Sequence, residues 1–322
     1  LAIVRKLRRF DLVLTFSGVA IVTMVYTSFS HNLFTLAPLA LVHTPLLFFA
    51  FVMLTEPFTT PPSRALRIGY AVLVGVLFAP LLPIWSLYPY SPELALVLGN
   101  VFAYMASPKG RTILTLERIE DTSASTKDFI FKADKPLSFT AGQFLEWTLP
   151  QAKPDARGTR RFFTIASSPT EPEIRLGVKF YPSPSTFKQA LAALVPGDTM
   201  SATQLGGEFI LPKDTQKKLV CIAGGIGITP FRSHLRSILD RHEKRDIVFL
   251  YANKTVADIA YAPLLVEAER DLGTKVVYVI SSGEVPAHMR SGVIDAALIK
   301  TEITDYTDRT FYISGPQVMV TV

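Results

Sequence analysis

The sequence predicts a three-part chain. A bundle of about four membrane-crossing α-helices over residues 1–112 is followed by an antiparallel β-barrel over 113–214. An α/β domain built on a parallel sheet occupies 215–322. Three observations lead there. The apolar excess is concentrated before about residue 107, in four long stretches. Short alternating strands separated by turn residues follow. Apolar strands then alternate with helical segments up to the end of the text.

The four apolar stretches lie at about 12–29, 33–55, 67–86 and 92–107. Leu33–Leu54 carries no formal charge if His43 is neutral, and a bilayer takes roughly 20 residues to cross. The third stretch contains Pro80 and Pro83, which neighbouring helices in a bundle can accommodate. The fourth is short and begins near Glu93. The alternative is a buried helical domain in water; length and absence of charge favour the membrane. Arg5, Lys6, Arg8 and Arg9 precede the first stretch, Arg64 and Arg67 separate the second from the third, and Lys109 and Arg111 follow the fourth. Alternating spans would put all of them on one side, the cytoplasmic one. The expected location is therefore the inner membrane, multi-pass, with the rest of the chain in the cytoplasm. The connection MLTEPFTTPPSR (53–64) is stiffened by Pro57, Pro61 and Pro62, and Glu56 closes an apolar span.

Composition excludes several classes. The net charge of +6 is mild and dispersed, and no basic stripe argues for nucleic acid. One cysteine, Cys221, rules out a disulfide framework, a Cys-ligated iron–sulfur cluster and a structural zinc, and no metal site is expected. Five histidines are too few and too scattered for a pair of bis-histidine haems. The text begins without Met and ends inside an apolar run, so a fragment at both ends is expected.

From residue 113, ILTLERIEDTSASTKDFIFKA reads as two strands around a polar turn, and FTAGQFLEWTLP as a glycine turn into a strand. RFFTIASS and EIRLGVKFY are further strands. SPSTFKQALAAL is a helix with Ser183 or Ser185 as its N-cap, and PGDTMSATQLGGEFIL closes the barrel. On a strand, Arg161 and Phe163 share one face and Thr164 turns to the other. Arg161 can clamp a diphosphate and Phe163 can lie flat on a ring system. Thr164 offers a hydroxyl to a ring heteroatom. Ser185 and Thr186 start a helix, where a phosphate is favoured. The competing reading makes Phe162 and Phe163 barrel core and Arg161 a solvated strand residue.

The α/β part opens with KKLVCIAGGIGITPFRSHLRSIL (217–239), an apolar strand running into GGIG and a helix with Pro230 near its start. Gly224, Gly225 and Gly227 let the backbone turn and approach a phosphate at the helix N-terminus. The run is not the dinucleotide fingerprint GxGxxG. DIVFLYANK, KVVYVISS and RTFYISGP are further strands, with PLLVEAERD and VIDAALIKTEI as helices between them. Gly224–Thr229, Ser281–Ser282 and Ser314–Pro316 should then line a cleft at the carboxyl ends of the strands. Ordinary strand-to-helix turns, where glycine and serine are common, are the alternative.

Taken together, RxFT at 161–164, ST at 185–186, AGGIGITP at 223–230 and ISGP at 313–316 resemble the ferredoxin–NADP reductase superfamily over about residues 113–322. The resemblance implies an FAD barrel followed by a nicotinamide-nucleotide domain. It implies hydride transfer from nicotinamide C4 to flavin N5, without an acid–base residue. In such proteins the counterpart of Arg161 holds the FAD pyrophosphate, that of Phe163 stacks on the isoalloxazine, and that of Thr164 bonds near N5. Ser185 and Thr186 fall at the FAD phosphates. Gly224, Gly225, Gly227, Ile228 and Thr229 fall under the nicotinamide nucleotide, and Gly315 and Pro316 close over it. Thr164, Thr229 and Ser314 are the residues expected nearest the transfer. Ser314 stands where the family often has cysteine, and Ser282 where NADP-specific members have arginine, so NADH is expected as donor in preference to NADPH, with Lys254 as a cation that could compensate. The usual C-terminal helix and tail are missing from the text.

FVMLTEPFTTPP, with the basic residue and glycine-containing span after it, resembles the later spans of the RnfD/NqrB family of ion-translocating electron-transfer complexes over roughly 45–107. No Ser-Gly-Ala-Thr type flavinylation segment is present, so Thr59 and Thr60 are not named as such sites. The expected function is a membrane-bound, FAD-dependent NAD(P)H oxidoreductase. Its partners are the lipid bilayer and an acceptor subunit, a quinone or an upstream flavin. Two rivals are a membrane-anchored reductase of a soluble acceptor, such as a ferric chelate or small electron carrier, and a non-catalytic flavin-binding sensor or scaffold.

Overall fold

The computed structural model describes residues 4, 10–30, 46–55, 59–61, 64–78, 92–106 and 110–320. The chain divides into two compact units, Leu1–Pro108 and Lys109–Val322.

The first unit is helical. Its described elements are α1 (Phe10–Ser30), the short turn α2 (Leu46–Phe48) that widens into a π turn over Phe49–Met53, α3 (Arg64–Leu77) and α4 (Pro92–Ala106). Phe16, Phe49 and Phe78 form its aromatic centre, with ring centroids 5.0–5.4 Å apart. Small residues let the helices close on one another. A Cβ at Gly99 would lie 2.3 Å from Val74 Cγ2, and one at Gly75 would lie 3.0 Å from the Val19 side chain. Two polar contacts tie the helices from inside: Arg67 meets Asp11 at 3.1 Å, and the Tyr70 hydroxyl donates to Asn100 Oδ1 at 3.0 Å.

The four-span bundle expected from hydropathy is corrected here. Among the described residues no helix is long and apolar enough to cross a membrane. At about 1.5 Å per residue, α3 and α4 extend only about 21 and 22 Å, short of a hydrocarbon core of about 30 Å. The described part of the second stretch is a three-residue helix and a π turn. The longest helix, α1, opens on Asp11 and carries Thr15, Ser17 and Thr23 along its length. Arg67, read as a basic flank outside the bilayer, is buried against Asp11 instead. The bilayer as a partner, the multi-pass inner-membrane location and the likeness to ion-translocating spans fall with the spans. So does anchoring through those spans. Arg5, Lys6, Arg8, Arg9, residues 33–45, Glu56, Pro57, Pro62, Pro80, Pro83 and Lys109 lie outside the described residues.

The second unit holds the two expected sheets. Six antiparallel strands form the first: β1 (Thr112–Ser123), β2 (Thr126–Ala133), β3 (Phe144–Thr148), β4 (Arg160–Thr164), β5 (Ile174–Lys179) and β6 (Thr199–Gly206). Their order is β4-β3-β6-β1-β2-β5. The sheet curls until its edges meet just beyond β4, where the Ala166 N–H donates to the Arg175 carbonyl at 2.9 Å. Inward residues alternate along the strands, among them Leu114, Leu116, Phe129, Phe131 and Trp147. Helix α5 (Thr186–Ala192), capped by the Ser185 hydroxyl, plugs one end with Phe187 and Leu191.

The second sheet is parallel, in the order β10-β9-β8-β7-β11. Its strands are β7 (Leu219–Gly224), β8 (Ile247–Asn253), β9 (Lys275–Ile280), β10 (Arg290–Ser291) and β11 (Thr310–Ser314). The helices α6 (Thr229–Asp240), α7 (Ala262–Leu272), α8 (Ala296–Glu302) and α9 (Gln317–Val320) follow β7, β8, β10 and β11. Every residue of β7 is buried, as a central parallel strand covered on both faces requires.

Helix α6 docks this sheet against the barrel. Arg232 pairs with Glu171 and donates to the Ala166 carbonyl at 3.2 Å, and the Ser233 hydroxyl donates to the Ser167 carbonyl at 2.6 Å. His234 Nε2 reaches the Ala141 and Phe209 carbonyls at 3.1 and 2.9 Å. Burial depresses its pKa to about 4, so Nε2 carries the hydrogen of a neutral ring.

Candidate active site

The carboxyl end of β7 makes a 3₁₀ turn over Gly225–Ile228, and α6 starts at Thr229 with Pro230 in its first turn. Gly225 has φ +51° and nothing within 4 Å of a built Cβ, so its backbone faces open space. Gly224 and Gly227 have the opposite surroundings. A Cβ on Gly227 would lie 2.3 Å from the Ser314 carbonyl oxygen, and one on Gly224 would lie 2.8 Å from Pro316 Cδ. The glycine loop and the Ser314–Pro316 loop therefore pack backbone against backbone. Thr229 Oγ1 donates to the Ile226 carbonyl at 3.2 Å, and the Tyr251 hydroxyl donates to the Gly225 carbonyl at 3.2 Å.

The barrel supplies the opposite wall. β4 is an edge strand, and Trp147 Nε1 donates to the Phe163 carbonyl at 3.1 Å. Phe162, Phe163 and Thr164 meet Gly177 and Val178 of β5 across a cleft of about 830 Å³. Thr229, the Gly224–Gly227 backbone and Ser314–Pro316 line its other side, with Ser281 and Lys254 farther along. Volume and lining suit a planar ring system and a nucleotide. The donor set fits as well: glycine backbone open at Gly225, hydroxyls at Thr164 and Ser314, and a partly buried Lys188. Burial pushes the Lys188 ammonium pKa down, and its Nζ donates to the Lys179 carbonyl at 2.5 Å.

Of the sequence-derived candidates, Phe163, Thr164, Gly224, Gly225, Gly227, Thr229, Ser314, Gly315 and Pro316 lie together on this cleft. Ile228 does not. Only 1% exposed, it packs into the core between β7 and α6. Arg161, Ser185 and Thr186 form a separate group beside the cleft. The pleat sets Arg161 and Phe163 against the same ring, Phe187, at 5.2 and 5.8 Å. The Arg161 guanidinium grips both Asp155 carboxylate oxygens at 2.6 and 2.7 Å, and three backbone carbonyls besides. The Asp155 N–H in turn donates to Thr186 Oγ1 at 3.2 Å. A carboxylate of the chain thus occupies the Arg161 guanidinium, and Arg161 holds its pKa below the ordinary range.

Sequence reasoning missed Asp155, Gly177, Lys188 and Asn253. Asn253 ends β8 on the cleft, buried, with its amide group turned toward Tyr251 and its carbonyl oxygen lacking a hydrogen-bond partner. A buried carbonyl oxygen without a partner is costly and marks a place where a polar ligand would be accepted. Its position at the carboxyl end of a parallel strand was the available signal.

Comparison with known proteins agrees with this geometry. Residues 221–322 match the model of the oxidoreductase NAD-binding domain. The flavohemoprotein of Bacillus subtilis is 29% identical over 213 residues, covering 63% of this chain and 52% of that protein. The reductase subunit of an aromatic O-demethylase from Amycolatopsis is 28% identical over 212 residues, covering 64% of this chain and 61% of the relative. The crystal structure of an Amycolatopsis cytochrome P450 reductase matches with a TM-score of 0.58 and 26% identity, over 66% of this chain and 63% of that one. The chain spans roughly half to three fifths of the length of these curated relatives. In fold, cleft and sequence the second unit is similar to NAD(P)H-dependent flavin reductases, with the oxidoreductase NAD-binding domain matched over residues 221–322. The chain binds flavin and nicotinamide cofactors in the manner of reductase domains; the sensor reading, which dispensed with catalysis, is set aside.

Proposed function

We propose that this chain is the reductase component of a two-protein electron-transfer system, which draws a hydride from NADH through FAD and passes electrons to a separate protein acceptor. The observation that carries the reading is the cleft itself, in which Phe163 and Thr164 of the barrel face the Gly224–Thr229 turn and the Ser314–Pro316 loop. FAD would supply the redox chemistry, accepting a hydride at N5 from nicotinamide C4 and releasing electrons singly.

The chain's own residues bind and orient. Arg161, Ser185 and Thr186 hold the FAD diphosphate, with Asp155 giving up the guanidinium to it. Phe163 supports the ring system and Thr164 offers its hydroxyl to the ring edge. The open backbone at Gly225 and the first turn of α6 receive the nicotinamide nucleotide. Ser314, Gly315 and Pro316 close over the nicotinamide and keep water from the reacting face. No side chain has to take or give a proton.

NADH is favoured because the residue after Ser281 is Ser282, which has no charge for a 2′-phosphate. Lys254, exposed on the rim of the cleft, is the nearby cation that would serve NADPH instead. A protein acceptor is favoured by the relative named as the reductase subunit of an O-demethylase. The test is anaerobic: protein loaded with FAD is mixed with NADH or NADPH in a stopped-flow instrument. Rapid bleaching of the flavin band by NADH, with NADPH slower, is expected. A flavin band that neither nucleotide bleaches would sink the proposal.

A further inference from the structure

Asp128 lies on β2 with no solvent exposure, deep in the seam where the barrel meets the parallel sheet. A carboxylate so placed is tolerated only with partners. Its partner from the other side is Tyr261, whose hydroxyl donates to Asp128 Oδ1 at 2.5 Å; Arg175 approaches Oδ2 at 3.4 Å. Burial pushes the Tyr261 phenol well above its ordinary pKa, so it remains the donor. Tyr261 reaches this point from a left-handed backbone, φ +58°, which a bulky residue adopts only under constraint.

Two neighbours connect this contact to the cleft. The cross-strand partner of Asp128 is Gly177, which lines the cleft. A Cβ at Gly177 would lie 2.4 Å from Tyr261 Oη, 2.8 Å from Thr229 Cγ2 and 3.0 Å from Asp128 Oδ1, so β5 presses on the first turn of α6 with no room for a side chain. On the other flank, the Ala260 N–H donates to the Tyr251 hydroxyl at 3.3 Å, and that hydroxyl donates onward to the Gly225 carbonyl at 3.2 Å. The Ala260–Tyr261 segment is thus tied to the barrel through Asp128 and to the glycine loop through Tyr251.

We infer that Tyr261 and Asp128 form a positioning pin that sets how closely the barrel wall of the cleft approaches the glycine loop, and hence the distance over which the hydride is handed across. Neither residue lines the cleft; both act through Gly177, Thr229 and Gly225. The inference rests on the reading given under Proposed function.

The test compares the wild-type chain with Tyr261→Phe, which keeps the ring and removes the donor, and with Asp128→Asn, which keeps an acceptor oxygen. A small misplacement of reacting groups costs rate steeply, so Tyr261→Phe should slow bleaching of the flavin band by NADH about tenfold to hundredfold. The NADH concentration giving half the maximal rate should stay within about twofold, because the nucleotide contacts are intact. Long-wavelength charge-transfer absorbance between flavin and nicotinamide should weaken in parallel, and Asp128→Asn should keep most of both. A second readout needs no cofactor: hydrogen exchange in the flavin-free chain should speed up at Gly177 and at Gly225–Thr229 in Tyr261→Phe, while β1 and β3 stay protected. If Tyr261→Phe does not fold, Asp128→Ala removes the same bond from the barrel side and is read the same way. Wild-type bleaching rates in Tyr261→Phe (or in Asp128→Ala where it replaces it), or exchange there that is unchanged or raised uniformly over the whole unit, would overturn the pin. If neither nucleotide bleaches the wild-type flavin, the functional reading fails instead, and the exchange experiment still judges the pin.

Discussion

Replacing Gly227 by alanine should separate the two loops that floor the cleft. The added Cβ would sit 2.3 Å from the Ser314 carbonyl oxygen, 2.6 Å from its carbon and 2.7 Å from Gly315 Cα. These are backbone atoms at the end of β11, held by the parallel ladder to β7, and cannot rotate aside as a side chain could. Real Cβ contacts essentially never fall under 3.0 Å. The Ser314–Pro316 loop must therefore move by about 0.7 Å or more, an overpacking that costs roughly 1–3 kcal/mol. Since 1.4 kcal/mol is about tenfold in an equilibrium constant, nicotinamide nucleotide binding should weaken by roughly 5- to 150-fold if the strain is relieved by opening the cleft. FAD affinity should hold, because Arg161, Ser185 and Thr186 lie on the barrel. The assay is anaerobic titration of the flavin-loaded chain with NADH, beside a thermal melt. Gly225→Ala is the comparison: a Cβ there meets no protein atom within 4 Å, so its cost to the fold is the φ of +51° alone, about 1–2 kcal/mol, and any further loss of NADH affinity reports the ligand's own approach to that backbone. Wild-type NADH affinity and melting temperature in Gly227→Ala would refute the reasoning, since the contact cannot be accommodated without movement.

Three further outcomes are expected. Asp155→Ala should raise FAD affinity a few-fold in low salt, because the flavin diphosphate no longer competes with a carboxylate for Arg161; isothermal titration of the flavin-free protein reads this directly, and unchanged or lower affinity counts against it. Ser282→Arg should shift the preference toward NADPH by improving its kcat/KM, with Lys254→Ala in the same background reversing part of the gain. His234 should make the fold acid-sensitive: its folded pKa of about 4 lies below its ordinary 6.5, so the unfolded chain takes up a proton first. That contribution is complete above pH 6.5, declines as pH falls and is spent near pH 4, about 3 kcal/mol in all. Urea unfolding between pH 7 and 4.5 should show this slope in the wild type and lose up to one proton's worth of it in His234→Asn.

Local periodicity made the second unit legible. The period-two alternation of TILTLERIE and EIRLGVKFY survives as inward and outward faces of β1 and β5, and the unbroken apolar run LVCIA becomes a strand buried on both sides. The helical unit was misread by the same yardstick. Hydropathy counts apolar residues but does not say what covers them, and Phe16, Tyr70 and Val74 are covered by one another. Arg67 reads as a flank because it lies with Arg64 between two apolar stretches; its partner Asp11 lies 56 residues away, a distance no local window spans.

The site shows the same division between local and non-local information. GGIG followed by Thr-Pro, and ISGP, announce tight turns at strand ends, so the loops lining the cleft could be named before their geometry was known. Their mutual packing could not. Nothing in the text says that Gly227 faces Ser314, and so the requirement for glycine there is as much loop against loop as loop against ligand. Asp155 and Asn253 were missed for a related reason: an aspartate in a polar loop and an asparagine at a strand end are common, and each becomes informative only beside its partner or for want of one. Gly225 is the exception that separates the two demands. It is the glycine of this turn whose Cβ position is empty, so alanine at 225 tests backbone conformation and ligand approach, while alanine at 227 tests the packing of the fold. A cofactor reading that relied on the GGIG letters alone would expect the two substitutions to behave alike; the structure requires them to differ.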